Sequence, residues 1–233
     1  MTEILTRTLL IFFVLFLSVM SLHAHESDTL YNVVNIDASA DSEIPNDQMT
    51  VVLVSSHDGS DATAVSGQVN KDMAWALSLV KAEKNISSKT TSYQTFPIYD
   101  KQVITGWRSS QSLELKSTEI DSLSDMIGNL QKKLKVQQMY FSPTDKTRKE
   151  FENQLIAEAM EAFKQRIAIV GEHMPHKNHK ILNININTGG NTPPIMNQRA
   201  AMAKSMAMEA SAPAVEAGTS RITVTINGSV QFF

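Results

Sequence analysis

The 233-residue chain contains no cysteine. This absence excludes disulfide bonds, a thiolate nucleophile and any metal site built from cysteine side chains. Covalent cross-links therefore contribute nothing to stability, which must come from the burial of apolar side chains in a core.

An excess of positive charge is also lacking, because 21 basic residues stand against 24 acidic ones and the formal net charge is −3. The chain has no run of lysine and arginine interleaved with aromatic residues. A nucleic-acid-binding protein needs a positive surface that neutralises phosphates. We therefore expect no nucleic-acid partner.

The one long apolar run is at the amino terminus, where Leu9 to Val19 read LLIFFVLFLSV. It is shorter than the roughly 20 residues of a membrane-spanning helix and fits the apolar part of an export signal. We interpret residues 1–24 as a signal peptide cleaved after Ala24, with an uncleaved anchor as the alternative. Export without cysteine is typical of a bacterial periplasmic protein. The mature chain, residues 25–233, is expected to form a single domain without an integral membrane span.

The middle of the chain changes from a strand pattern to a helix pattern. From Val103 to Leu115 the side chains alternate between two faces, as they do in a pleated strand. After Ser117 the apolar residues recur every three or four positions, which predicts a helix with Ser117 or Thr118 as its cap. The apolar positions of this helix are Ile120, Leu123, Ile127, Leu130 and Leu134.

Two strands and a helix are predicted before this unit. Leu30–Ala40 and Met49–Ser55 are strand-like and flank a polar segment with Pro45, which suggests an antiparallel hairpin. His57–Ser60 is interpreted as a loop, and Asp61 as the cap of a helix whose last apolar position is Val80 and which Asn85 ends. Ser88–Pro97 follows as a polar edge strand.

After the middle unit we predict a short strand, Val136–Ser142, and the longest helix of the chain. This helix begins at Ser142-Pro143, spans roughly 25 residues and is closed by Gly171. The alternating segments Ile181–Asn187 and Arg221–Phe233 are expected to pair. Residues 188–220 between them form a predicted flexible loop rich in alanine and methionine.

The order of these elements predicts an α+β fold. We expect an antiparallel sheet with long amphipathic helices packed on one face, built from partly repeated strand-strand-helix-strand units.

Several stretches carry a resemblance to a known family. They are MTVVLV, the helix SDATAVSGQVNKDMAWALSLVK, the segment from ISSKTTSYQTF to DMIGNL, VQQMYFSPTDKTRKEFENQLIAEAMEAFKQRIAIVG, and the closing strand ITVTINGSVQF. With these features the chain resembles the SIMPL-domain family of bacterial periplasmic proteins, the group of the 26 kDa periplasmic immunogenic protein. The local signature of that family is matched by Thr95, Tyr99, Ile104, Gly106 and Trp107. Pro45-Asn46-Asp47 departs from the usual proline and aspartate between the first two strands.

The resemblance covers Leu30 to Phe232 and implies an α+β domain with an antiparallel sheet. It also implies a tendency to form homo-oligomers and a role in envelope physiology, for which defence against oxidative stress is the usual suggestion. It implies no catalytic residue and no cofactor.

The clearest cluster of potential metal ligands in the sequence is formed by His173, His176 and His179, which are spaced by three residues. Imidazole is a good ligand for copper and zinc, so these three residues are a candidate metal site. Pro175 interrupts any helix there, and a solvated loop is the alternative.

A second candidate is the tract that contains Met196, Met202, Met206 and Met208. Thioethers bind Cu(I) or act as oxidant traps, and periodic alanine and methionine also describe a helix that docks on a partner. The chance product of a biased composition is the alternative.

His57, Asp58 and Ser60 are of the residue types that form hydrolase active sites, but they are too close together in the sequence to form a catalytic relay from carboxylate to histidine to serine. Trp75 and Trp107 are expected in the core or at an interface, and Arg108 is expected to pair with Glu114 or a neighbouring acid. We therefore expect a non-catalytic, exported and self-assembling protein with a structural or protective role against oxidative or envelope stress. The alternative is a periplasmic copper- or zinc-binding protein that uses the histidine cluster and the methionine tract.

Overall fold

The computed structural model describes residues 30–189 and 216–233 of the chain. The signal peptide predicted at residues 1–24 and most of the loop predicted at 188–220 lie outside these ranges. Within them the chain forms seven strands and three helices: β1 (Val33–Pro45), β2 (Gln48–Gly59), α1 (Ala62–Val80), β3 (Ser87–Asp100), β4 (Val103–Ser117), α2 (Ile120–Leu130), β5 (Lys135–Ser142), α3 (Asp145–Glu172), β6 (His179–Thr188) and β7 (Thr219–Phe232).

The strands form two antiparallel sheets, and the α+β fold class is confirmed. One sheet has three strands in the order β1-β7-β6, and the other has four strands in the order β3-β4-β2-β5. The expected pairing of β6 with β7 is confirmed. Each sheet contributes to its own cluster of buried apolar side chains.

The four-stranded sheet packs against α1 and α2. Asp61 caps α1 as expected, because its side chain accepts a hydrogen bond of 2.7 Å from the backbone N–H of Ala64. The apolar faces of both helices meet the strands in one core. Its fully buried members include Met49, Val51, Leu53, Val80, Leu113, Leu115, Leu123, Ile127 and Leu130.

The three-stranded sheet packs against the long helix α3. Residues four apart on α3 bury Leu155, Ala159, Phe163 and Ile167 against β1 and β7. A Cβ atom at Gly228 of β7 would lie 2.8 Å from the ring of Phe163. Only glycine therefore lets the helix approach the sheet this closely.

Several local predictions are wrong. β1 and β2 do not form a hairpin, because β1 pairs with β7 and β2 pairs with β4 and β5. The single predicted sheet is in fact two sheets. Periodicity defines which residues share a face of a strand, but it carries no information about the partner of that strand.

The predicted ends of the helices also need correction. Thr144, two residues after Ser142, caps α3 by accepting a hydrogen bond from Thr147 N–H. Gly171 lies inside α3, which continues to Glu172. Glu119 stands at the cap position of α2, but its side chain makes no capping hydrogen bond, whereas Ser117 Oγ accepts from Glu119 N–H at 3.0 Å. Terminal turns are the least certain part of any pattern, since several neighbouring polar residues can fill the cap position.

Candidate functional site

His57 and Asp58 lie near the end of β2, which continues to Gly59, so the loop predicted at His57–Ser60 is wrong. Successive side chains of a strand point to opposite faces. His57 accordingly contacts helix α1, and Asp58 pairs with Arg108 of β4 on the other face.

A buried carboxylate, Asp72 of α1, is the centre of the most polar cluster in the four-stranded unit. Its side chain is only 4% exposed. Oδ2 lies 2.7 Å from His57 Nε2 and accepts from Ser55 Oγ at 3.5 Å. Oδ1 accepts from Gln68 Nε2 at 3.2 Å and lies 3.4 Å from Lys133 Nζ. We call these five residues the Asp72 cluster.

The surroundings of Asp72 change its acidity in two directions. Burial raises the pKa of this carboxyl, because it disfavours the charged form. The hydrogen bonds from His57 and Lys133, together with their charges, lower it by more, so the pKa of Asp72 lies below its ordinary value. Asp72 is therefore held as a carboxylate at neutral pH.

The arrangement of the Asp72 cluster does not match that of an activated nucleophile. In a hydrolytic triad the serine hydroxyl is hydrogen-bonded to the histidine, and the carboxylate is bonded to the other side of the ring. Here Ser55 donates to the same carboxylate oxygen that His57 contacts. The cluster thus fastens α1 to β2 and to Lys133, which follows α2.

Sequence reasoning missed Asp72, although a signal was present. Asp72 falls seven residues after Val65 and four before Ala76, on the same face of α1 as these buried residues. A charged residue on the buried face of a helix needs partners, since an unpaired buried charge is costly. That rule predicts a polar cluster at this position without naming its members.

Arg108 and Asp58 form an exposed ion pair in which Arg108 Nε donates to Asp58 Oδ1 at 2.6 Å. The neighbouring acid that Arg108 contacts is thus Asp58, while Glu114 pairs with Lys116. The hydrogen bond from Arg108 lowers the pKa of Asp58. Water screens this pair, so it is an ordinary surface contact.

The three histidines of the candidate metal site stand at one end of the three-stranded unit. His173 is the carboxyl cap of α3, His176 lies in the following loop and His179 is the first residue of β6. The His179 ring centroid lies 6.0 Å from that of Phe232. Within residues 30–189 and 216–233, no three histidine or acidic side chains are placed to hold one metal ion. Copper or zinc binding by His173, His176 and His179 stays a prediction.

The tract with Met196, Met202, Met206 and Met208 lies outside the described residues. Trp75 packs against the core of the four-stranded unit, and Lys133 Nζ lies 5.1 Å from the centroid of its ring. This distance is that of a cation–π contact.

The most exposed apolar surface of the four-stranded unit lies at the end of the β3–β4 hairpin. The last residue of β2, Gly59, pairs with Trp107. Residues 98–106 extend beyond this pair as a two-stranded ribbon, which we call the hairpin tip. Tyr99, Val103 and Ile104 of the tip are between 48% and 66% exposed.

These observations define a class of protein: an α+β fold of two antiparallel sheets, with a buried carboxylate cluster and an uncovered apolar hairpin. The model of the SIMPL family, described as a protein of unknown function (DUF541), matches residues 34–230 of the chain. The chain belongs to this family. A comparison with curated proteins found no match. No helix in the described part of the chain is long and apolar enough to cross a membrane.

Proposed function

We propose that this protein is a non-catalytic, exported protein that self-assembles, with a structural or protective role in the cell envelope under oxidative or envelope stress. The hairpin tip is the observation that supports assembly. Adjacent residues of a strand point to opposite faces, so Val103 and Ile104 place apolar side chains on both faces of the tip.

A two-stranded ribbon is marginally stable alone in water. β2 ends before the tip and does not pair with it, and the apolar side chains of the tip are exposed to solvent. Contiguous exposed apolar surface on a folded protein is typical of a protein–protein interface. A second copy of the chain that covers the tip would bury Tyr99, Val103 and Ile104 and would stabilise the ribbon at the same time.

Assembly is tested with the mature chain, residues 25–233, by size-exclusion chromatography with light scattering at tens of micromolar. We expect an oligomer for the unmodified chain. The triple variant Tyr99→Ser, Val103→Ser, Ile104→Ser is expected to shift the mass towards the monomer, because the apolar contact is removed.

The matched control is Ile169→Ser, which changes another exposed isoleucine, on α3. It should leave the mass unchanged, and circular dichroism should show that both variants are folded. A strict monomer for the unmodified chain would overturn the assembly proposal. An oligomer that the triple variant retains would show that another surface is used. The export proposal is tested by sequencing the amino terminus of the protein from cells, which we expect at His25.

Binding of copper or zinc is the second candidate function. His173, His176 and His179 lie within one seven-residue stretch at the junction between α3 and β6, and this closeness is what supports the second candidate. Calorimetric titration with each metal tests it. Micromolar or tighter binding that disappears in the His173→Ala, His176→Ala, His179→Ala variant would favour this function.

A further inference from the structure

All five asparagines in the strands that the structure describes lie on one face of one sheet. This sheet is the three-stranded one, and residues that alternate with the asparagines, such as Ile36 and Ile226, are buried against α3. Because successive side chains of a strand point to opposite faces, the asparagines lie on the face away from α3. They are Asn35, Asn183, Asn185, Asn187 and Asn227.

Four of these asparagines, together with one aspartate and one serine, form two rows of three side chains across the sheet. The rows are Asn35–Ser229–Asn183 and Asp37–Asn227–Asn185. Neighbouring strands lie about 4.8 Å apart and the rows about 6.8 Å apart, so the six side chains cover about 10 by 7 Å. They line a depression of about 250 Å³, to which Ile36 and Gly228 also contribute. We call these six residues the asparagine grid.

Local preference does not explain this concentration of asparagine. Asparagine is depleted in strands, where β-branched and aromatic residues are favoured. The strands of the four-stranded sheet contain no asparagine and have serine and threonine at many of their polar positions. A departure from local preference is typical of functional sites. The asparagine grid is therefore a candidate binding surface.

Hydrogen bonds hold one row of the grid in place. Ser229 Oγ donates to Asn35 Oδ1 at 2.7 Å and accepts from Asn183 Nδ2 at 3.3 Å. Asn183 Oδ1 in turn accepts from Ser229 N–H at 3.3 Å. Among the described residues, the amides of the other row, Asn185 and Asn227, stand outside this network and keep their donors and acceptors for a ligand. A row whose orientation is already fixed lowers the entropy cost of binding.

The described residues that line the depression exclude several classes of ligand. They include no basic residue, which an anion would need, and Asp37 is their one charged member. In residues 30–189 and 216–233, no three histidine or acidic side chains are placed to hold a metal ion. The lining also has no aromatic ring on which a nucleobase could stack. A small, neutral and polar ligand remains, because sites for larger organic ligands measure roughly 300 Å³ or more.

We propose that the asparagine grid binds a neutral saccharide. An amide offers both an N–H donor and a C=O acceptor, and a sugar hydroxyl can also both donate and accept. One amide therefore bonds to two neighbouring hydroxyls, in opposite directions. The carboxylate of Asp37, which accepts from Arg166 Nη1 at 3.1 Å, adds a charged acceptor for further hydroxyls. Glycoside hydrolysis uses a pair of carboxylates, so a site with this single one binds the sugar without cleaving it.

Titration of the isotope-labelled mature chain with neutral sugars, followed by nuclear magnetic resonance, tests this site. The probes are glucose, galactose and N-acetylglucosamine, each added to about 50 mM, because a small polar site without a stacking ring is expected to bind in the millimolar range. With at least one of these sugars, we expect saturable shifts of the side-chain amide signals of Asn185 and Asn227.

The test variant is Asn227→Thr, which removes an amide from the central strand β7. It should weaken binding about tenfold, since two hydrogen bonds to the sugar are lost. Threonine suits a strand better than asparagine does, so the midpoint of urea unfolding should stay the same or rise. The matched control is Thr223→Ala, which changes the same face of β7 outside the depression and should keep the affinity.

The absence of a saturable shift with all three sugars would overturn the proposal, as would binding that Asn227→Thr leaves unchanged. A large loss of stability in Asn227→Thr would also overturn it, because the asparagines would then serve the sheet itself. The same holds for shifts of these signals that follow protein concentration without sugar, since a second copy would then cover the face. The grid shares no residue with the hairpin tip, so the triple tip variant should bind sugar as the unmodified chain does.

Discussion

At the scale of single residues, Asp72 is a buried charge of the four-stranded unit that is surrounded by four polar side chains. Its carboxylate accepts from three side chains and lies beside the ammonium group of Lys133. A carboxylate with these partners contributes to folding only while it is charged. The pH dependence of stability therefore reports on this cluster.

We expect Asp72→Asn to lower the free energy of unfolding at pH 7 by about 1 to 3 kcal/mol, because His57, Gln68 and Lys133 lose a charged acceptor. The folded pKa of Asp72 lies below the unfolded one. The contribution is thus complete above the ordinary carboxyl pKa of about 4 and declines as the pH falls towards the folded pKa.

Urea unfolding between pH 7 and pH 2.5 measures this contribution. The difference between the unmodified chain and Asp72→Asn should be largest at neutral pH and should shrink below about pH 4. Asp58→Asn, which removes an exposed carboxylate paired with Arg108, is the control and should have a much smaller effect. A difference that does not change with pH would contradict the assigned role of Asp72.

At the scale of elements, the β3–β4 hairpin extends beyond the end of β2 and closes in a turn with a strained backbone. Lys101 and Gln102 form its two-residue connection, with φ angles of 45° and 71°. Side chains with a Cβ atom are strained in this left-handed region, and asparagine and glycine are the residues that such hairpin turns prefer. The turn that closes the exposed hairpin tip therefore raises the free energy of the folded state.

We expect the double substitution Lys101→Asn, Gln102→Gly to raise the free energy of unfolding by about 1 kcal/mol, because the strain in the turn is relieved. Urea unfolding of the mature chain measures the gain. Lys101→Ala, Gln102→Ala is the matched control, which removes the same side chains but keeps the Cβ atoms and should give no such gain. Equal stability of the two variants would argue against a strained turn.

At the scale of the whole molecule, two residues between β1 and β2 join the two sheets. Asn46 Nδ2 donates to Ala217 O at 2.8 Å, and its Oδ1 accepts from Ser220 Oγ at 2.7 Å. Asp47 accepts from the N–H of Thr144 and from the hydroxyl groups of Thr144 and Thr147 at the start of α3. The chain crosses from one sheet to the other at Asn46-Asp47, between β1 and β2, and again at residues 143–144, between β5 and α3. We call the hydrogen-bonded contact that Asn46 and Asp47 make the joint.

The joint should couple the unfolding of the two cores, which are separate clusters of side chains. Both tryptophans of the chain, Trp75 and Trp107, belong to the four-stranded unit, so their fluorescence reports on that unit. Far-UV circular dichroism also reports on α3. We expect coincident transitions for the unmodified chain and separate transitions for Asn46→Ala, Asp47→Ala, because two-state behaviour needs contacts between the units.

A control for the joint is Asp41→Ala, Ser42→Ala, which changes two residues of β1 outside it. Its fluorescence and dichroism transitions should stay coincident. If the transitions of the Asn46→Ala, Asp47→Ala variant also coincide, other contacts couple the two units.

The sequence by itself determined the elements and the fold class. Alternation and helical periodicity are local properties of the letters, and they suffice to place α1, α2 and α3 and to predict the pairing of β6 with β7. Thr95, Tyr99, Ile104, Gly106 and Trp107 also carried the correct family, since they match its local signature.

Only the tertiary structure decided which strands share a sheet and which polar groups meet. Asp37 of β1 pairs with Asn227, far away along the chain, and no local pattern encodes such a partner. Asp72 and Lys133 come together because α1 and α2 pack on the same sheet. The hairpin tip is exposed because β2 ends before β3 and β4 do, and the length of one strand relative to its neighbours is a property of the folded sheet.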